Sequence, residues 1–79
     1  MHTYWIHYVD EREMVVKCPI WAESDREAMR LARAEVAHRR EAARAAYLAK
    51  GIRLRVHSGY YRVLILMDET EGRLVYPKN

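Results

Sequence analysis

The sequence is poor in the residues that build several familiar kinds of site. It has a single cysteine, Cys18, three glycines, two prolines and no phenylalanine. One cysteine cannot form an internal disulfide, which excludes a secreted scaffold held together by disulfides. Three scattered glycines cannot build a phosphate-cradling loop, and no P-loop, dinucleotide or nucleophile-elbow motif occurs. The sequence therefore offers no support for a nucleotide-binding enzyme.

Long hydrophobic runs are also missing. The chain has no stretch of roughly 18 apolar residues and no charged segment followed by an apolar one, as a signal peptide would have. We therefore expect a soluble, cytoplasmic protein that does not use a membrane. A chain of 79 residues has room for one domain, residues 1–79, whose thin core leaves little depth for an enzyme pocket.

Four histidines raise the question of a metal site. His2 and His7 are five residues apart and so face opposite sides of a strand, and His38 and His57 lie in other elements. A nucleophile pair of Cys18 with His7 is conceivable because their strands are neighbours, but no third group is evident. A buried apolar role explains Cys18 better. We expect no catalysis, no metal and no cofactor.

Alternation of polar and apolar residues predicts an α+β fold of order ββαβββ, a small antiparallel sheet with one long helix across one face. Pro19 lacks an N–H group and is expected at an edge, a bulge or a strand end. The helix begins after Ser24, which forms a capping-box pattern with Glu27, and it ends before Gly51. The predicted strands cover residues 3–9, 14–21, 52–57, 60–67 and 73–76.

The predicted helix is about 40 Å long, longer than any strand of this chain. Its second half is therefore expected to overhang the sheet or to bend near residues 38–40. In the strand predicted at 52–57, alternate side chains belong against the helix, and the others lie on the open face of the sheet. The open face is then expected to carry Arg53, Arg55 and His57, joined by Tyr60 and Arg62 from the next strand.

Arginine is concentrated in the helix. Residues 25–50 contain seven basic and four acidic side chains, which accounts for the whole net charge of +3. At about 100° per residue, five arginines fall within roughly 80° of one another, opposite the apolar face. The sixth, Arg39, falls inside the apolar arc, so either its stem leaves that arc or the helix is irregular there. The aligned arginines are Arg26, Arg30, Arg33, Arg40 and Arg44.

Three interpretations of this arginine row remain open. In the first interpretation, the row is a solvated face, where arginine occurs because it is a good helix former. Alternatively, its guanidinium groups follow a nucleic-acid backbone. In the third interpretation, it docks on an acidic or nucleic-acid-binding surface of another protein. A solvated face needs no alignment of one charge sign, and it is usually built from mixed i,i+4 pairs, which favours the two binding interpretations.

Several short patterns occur in an order that resembles a known family. The chain resembles the small phage-encoded anti-CRISPR proteins of type I-C and type I-F systems, above all a ββαββ inhibitor of type I-F complexes. The family's first-strand pattern is matched by Tyr4, Ile6 and Val9. The pattern at the start of its helix is matched by Ala22, Glu23, Ser24, Glu27, Ala28, Arg30, Leu31 and Ala32. The pattern after the helix is matched by Gly51, Arg55 and Val56, and the closing pattern by Gly72, Arg73 and Val75.

The resemblance implies a monomeric binding protein without catalysis. Such inhibitors bind the backbone subunits of the crRNA-guided surveillance complex (Cascade), block the path of target DNA, and can make the complex hold DNA nonspecifically. The family's helix presents a pair of basic residues to the complex. One member of the pair falls on Arg30, and the other, a lysine, is replaced here by Met29. This helix is also longer by about ten residues, which leaves Arg40 and Arg44 without a family counterpart.

The sequence thus leads to one principal hypothesis and one alternative. The principal hypothesis is an inhibitor of the type I surveillance complex in the infected bacterial cell. Its expected contacts are the five aligned arginines, with Arg53, Arg55, Tyr60 and Arg62 as secondary contacts. The alternative is a small basic protein that binds nucleic acid alone, whose affinity falls steeply with salt.

Overall fold

The predicted fold class is confirmed by the computed structural model, which describes residues 1–78. Its sheet has four strands in the order β2-β1-β3-β4, with all neighbours antiparallel. One helix packs against the sheet. The elements in chain order are β1 (His2–Val9), β2 (Val15–Ala22), α1 (Asp25–Ala49), β3 (Ile65–Asp68) and β4 (Arg73–Tyr76).

The first two strands form a hairpin that pairs along its whole length. The register runs from Val9 opposite Val15 to His2 opposite Ala22. In the loop, a side-chain oxygen of Asp10 accepts hydrogen bonds from the backbone amides of residues 12 and 14, as an aspartate does in a tight turn. Because β2 is at the edge of the sheet, the missing N–H of its Pro19 breaks no ladder, as the sequence predicted.

The core lies between the helix and one face of the sheet. On β1, the buried side chains are Tyr4, Ile6 and Tyr8, which share one side of the strand. The helix contributes small residues to this layer, and small side chains let its backbone come close to the large tyrosine rings. The buried residues from the other elements are Cys18, Ala22, Ala28, Ala32, Val36, Leu66 and Val75.

Both ends of α1 follow the capping signals in the sequence. At the start, the hydroxyl of Ser24 accepts a hydrogen bond from the amide of Glu27 at 3.2 Å. At the end, Gly51 has a φ of 78°, and the amide of Ile52 donates to the carbonyl of Tyr47 at 2.9 Å. Together with the bond from the Gly51 amide to the Leu48 carbonyl, this forms a Schellman motif. The predicted helix bounds are confirmed.

A partly buried ionic cluster fixes the start of α1 to the sheet. The guanidinium of Arg73 donates two hydrogen bonds to Asp25 on the first helical turn, at 2.7 and 2.8 Å, and one to Asp68 at 3.1 Å. Asp68 is fully buried and also lies 2.8 Å from a ring nitrogen of His2. The Tyr4 hydroxyl donates to Asp25. Helix, β1, β3 and β4 are therefore joined at one point.

The prediction of a strand at residues 52–57 is wrong, because no strand lies between α1 and β3. The element order is therefore ββαββ rather than ββαβββ. Of the strand predicted at 60–67, only residues 65–67 enter the sheet, and β3 continues one residue further to Asp68. The cause lies in the helix, whose 25 residues span about 37 Å, whereas the eight residues of β1 span about 26 Å. The chain leaves α1 beyond the end of the sheet and returns beside the helix, where no strand is available to pair with it.

A candidate docking surface along the helix

Five arginines lie along the side of α1 that is turned away from the core. The side chains of Arg26, Arg30, Arg33, Arg40 and Arg44 are all exposed. The helix is continuous through residue 39, so all five arginines lie on one regular helix. Among residues 1–78, only Arg44 of this set forms a salt bridge, with Glu41 at 3.5 Å. The remaining four guanidinium groups present their donors to solvent.

The structure brings the arginines into two adjoining depressions. In the first, Arg33 and Arg40 face Arg62, because residues 61–63 run beside the helix. In the second, Arg40 and Arg44 face the segment that follows the helix, which contributes Arg53 and Arg55. Arg40 belongs to both depressions and connects them. Residues far apart in the sequence thus converge on one side of the molecule.

At the start of α1, Arg26 and Arg33 also line a depression with Lys78, which the sequence analysis did not single out. No local signal marks Lys78, since only the path of the chain after β4 brings it to the helix. Arg30 lies between Arg26 and Arg33 on the first turns. We call this whole surface the basic flank; it consists of Arg26, Arg30, Arg33, Arg40, Arg44, Arg53, Arg55, Arg62 and Lys78.

The basic flank is the available guide to function. The chain matches no known protein family, no curated protein and no solved structure. Guanidinium groups bind carboxylates and phosphates with paired donors, and a row of them recognises an extended acidic partner. The flank therefore has the chemistry of a docking surface for an anionic macromolecule.

Tyr60 is held by contacts with the β1–β2 loop and with His57. Its hydroxyl donates a hydrogen bond of 2.6 Å to Glu13 in the β1–β2 loop, and its ring lies 5.4 Å from that of His57. The hydrogen bond to Glu13 is the main cause that raises the pKa of Tyr60. Tyr60 acts as a tie between two loops.

The predicted make-up of the open sheet face is wrong. Residues 52–62 are outside the sheet. The open face therefore carries none of the five side chains predicted there, which are Arg53, Arg55, His57, Tyr60 and Arg62. The face instead presents a largely apolar surface with His7 and Lys17 at one side. Both sides of β1 are apolar or aromatic in the sequence, so alternation could not reveal which one the helix covers. The apolar side chains of this face include Trp5, Pro19, Trp21, Ile65, Met67 and Leu74.

Arg39 has a structural place apart from the flank. Its Nε donates to Glu35 at 2.9 Å, a second guanidinium nitrogen donates to the Tyr8 hydroxyl at 3.2 Å, and the guanidinium lies 5.9 Å from the centre of the Tyr8 ring. These bonds, first that to Tyr8, raise the pKa of Arg39 further above its ordinary value. The helix is regular here, and Arg39 closes the end of the core.

The residues considered for catalysis are held apart. Cys18 faces the core opposite Ile6, whereas His7 lies opposite Lys17 on the other side of the sheet. Burial raises the pKa of the Cys18 thiol, with nearby Glu35 adding to the effect and Arg39 opposing it. Burial also lowers the pKa of His7, helped by the charge of Lys17. Cys18 is a buried apolar residue, as predicted.

Residues 1–78 contain neither a metal cluster nor a membrane-spanning helix. No group of three or more histidine, cysteine, aspartate or glutamate side chains in this range is arranged to hold a metal ion. No helix in the same range combines the length and the apolar character that crossing a bilayer requires. The basic flank and the apolar sheet face are the features left to explain.

Proposed function

We propose that this protein inhibits a type I CRISPR-Cas surveillance complex by binding to it stoichiometrically, without catalysis. It acts in the cytoplasm of the infected bacterial cell, where it prevents recognition of target DNA. One observation carries the proposal: a row of exposed arginines extends from the start of α1 into the depressions beside it. The ordered sequence patterns shared with the type I inhibitors supply the identity of the partner.

Electrostatics restricts how such docking works. The DNA path of the complex is positively charged, so the basic flank is repelled by the path itself. We therefore place the flank on acidic side chains of the backbone subunits that border the path. The rest of the domain then obstructs the DNA sterically. Its longest dimension of 44 Å is enough to cover several base pairs of a duplex.

Arg30 is the first residue to test, because its position matches the basic pair of the related inhibitor and it lies in the exposed row. Arg30→Glu is expected to abolish co-elution with a purified type I-C or type I-F complex and to remove phage protection in a plaque assay. Arg12→Glu is the matched control, since Arg12 is an exposed arginine in the β1–β2 loop and does not belong to the flank. The control is expected to inhibit like the wild type.

The decisive test of the proposal uses the wild-type protein itself. If it neither co-elutes with either complex nor protects phage, the proposal is wrong. If Arg12→Glu loses inhibition as fully as Arg30→Glu, net charge rather than a docking surface is responsible, and the assignment of the flank is wrong.

Independent binding to nucleic acid is the second candidate, and the extent of the flank favours it. Nine basic side chains line one side of the molecule, close enough for several to contact phosphates together. In that case free duplex DNA binds without any CRISPR complex, and its affinity falls steeply with salt because counterions are released. Arg30→Glu then removes only part of the affinity, since one charge of several is lost.

A further inference from the structure

The cleft at the far end of α1 differs in chemistry from the rest of the basic flank. It lies between the last three turns of the helix and residues 52–56. Its lining combines aliphatic side chains, which we call the floor, with four arginines, which we call the rim. The rim residues are Arg40, Arg44, Arg53 and Arg55, and the principal floor residues are Leu48, Ile52, Leu54 and Val56.

The floor leaves large apolar side chains in contact with solvent. Leu48 is 67% exposed and Ile52 is 48% exposed, although both are of the type that normally enters a core. They are neighbours across the cleft, together with the half-buried Leu54 and Val56. Contiguous exposed apolar surface rimmed by charge marks an interaction site more often than scattered apolar residues do.

Residues 53–56 retain the alternation of a strand without a strand partner. Leu54 and Val56 are half-buried, whereas Arg53 and Arg55 are exposed. Among the backbone hydrogen bonds of residues 1–78, none involves residues 53–56. Their N–H and C=O groups are therefore available to an extended segment from another chain, as in recognition by strand addition.

Charge complementarity selects the occupant. Four guanidinium groups around an aliphatic floor call for carboxylates that alternate with apolar side chains. Glu41 is the one acidic residue of the lining, and it is already paired with Arg44. Single-stranded nucleic acid fits less well, because its bases stack on aromatic rings and the lining contains none.

We propose that this cleft binds an extended, acidic and partly apolar segment of a partner protein. The segment lies along residues 53–56, its carboxylates pair with the rim arginines, and its apolar side chains cover Leu48 and Ile52. The inference goes beyond the proposed function, because it concerns the isolated protein and requires no CRISPR complex. A protein that fails to inhibit such a complex can still bind the segment, so the two ideas fail separately.

A titration of the isotope-labelled full chain tests the inference by NMR. The probe is a capped synthetic peptide in which glutamates alternate with valine and leucine. We expect saturable shifts centred on residues 44–56. A peptide with serine in place of valine and leucine, and one with glutamine in place of glutamate, are each expected to bind about tenfold more weakly.

Two substitutions locate the binding. Ile52→Ser removes an exposed floor residue, so the fold is retained, and we expect an affinity loss of about tenfold. Val15→Ser is the matched control, because Val15 is also an exposed β-branched residue but lies on β2. We expect it to bind the peptide like the wild type.

Several results would overturn the inference. Absence of saturable shifts at roughly millimolar peptide leaves the cleft without its occupant. Equal binding of the serine peptide reduces the effect to general charge attraction. Tighter binding of an oligothymidylate of equal charge, unaffected by Ile52→Ser, assigns the cleft to nucleic acid instead.

Discussion

The two halves of α1 have similar sequences and opposite roles. Residues 25–36 and residues 37–49 are both rich in alanine and arginine. In the first half, Ala28, Ala32 and Val36 are buried against the sheet, whereas no residue of the second half is buried. The difference shows that burial on this helix is decided by where the sheet ends, because the apolar arc continues past that point.

This division separates stability from recognition. The first half gains free energy from apolar contact with β1 and β2. The second half projects beyond the sheet and, with residues 52–56, forms the cleft described above. Matched substitutions in the two halves can therefore break or sharpen the comparison.

The largest expected difference is between two alanines. Ala32→Asp places a carboxylate without a partner in the core and is expected to lower the free energy of unfolding by at least about 3 kcal/mol. Ala46→Asp makes the same change on the exposed half and is expected to cost below about 1 kcal/mol, mainly from helix propensity. Urea unfolding of both variants measures the difference. Equal losses would show that both halves pack.

A smaller effect is expected at the ionic cluster that holds the first half. Hydrogen bonds from Arg73 are the main cause that lowers the pKa of Asp25; burial opposes them, and Tyr4 helps. Burial alone would raise the pKa of Asp68, but hydrogen bonds from His2 and the Glu71 amide, with nearby positive charge, leave it lowered. Burial, together with Asp25, raises the pKa of Tyr4 to about 12.

The sign of the pH dependence follows from these directions. A carboxylate whose pKa is lower in the folded state stabilises the fold above its unfolded pKa of about 4, and this contribution is lost as the pH falls below that value. We expect Arg73→Gln to reduce stability at neutral pH and to flatten the loss on acidification. Arg44→Gln, in the second half, is the control and is expected to change neither. Urea unfolding at several pH values from about 7 down to about 3 is the measurement.

An acid profile of Arg73→Gln as steep as that of the wild type would contradict the role given to the cluster. A comparable loss in Arg44→Gln would contradict the division between the two halves, because it would make an exposed arginine as important as one that joins helix and sheet.

The smallest expected effect lies where the halves meet. Arg39→Ala removes the hydrogen bonds to Glu35 and Tyr8 and is expected to cost about 0.5 to 1 kcal/mol, because the side chain is partly exposed and solvent screens its charge. Arg40→Ala removes its exposed neighbour and is expected to cost less than about 0.5 kcal/mol. Thermal unfolding compares the stabilities of the two variants. A larger loss of stability in Arg40→Ala would show that the boundary between the two halves is placed incorrectly.

Local patterns predicted much of the fold. The ends of α1, the hairpin and the shared side of Tyr4, Ile6 and Tyr8 follow from signals a few residues apart. The strand predicted at 52–57 failed because a strand depends on a partner that alternation cannot supply. The arginine row was visible in the sequence, but its junction with Arg62 and Lys78 was not.

The sequence by itself determined where the helix begins and ends and which of its sides carries the arginines. Capping bonds and helical periodicity act over one or two turns, so they need no information from distant residues. Only the tertiary structure decided that the second half of the helix has no buried residue, that residues 52–56 line a cleft, and that Arg39 binds the Tyr8 hydroxyl at the end of the core. These outcomes depend on the length of the sheet relative to the helix, which no local pattern encodes.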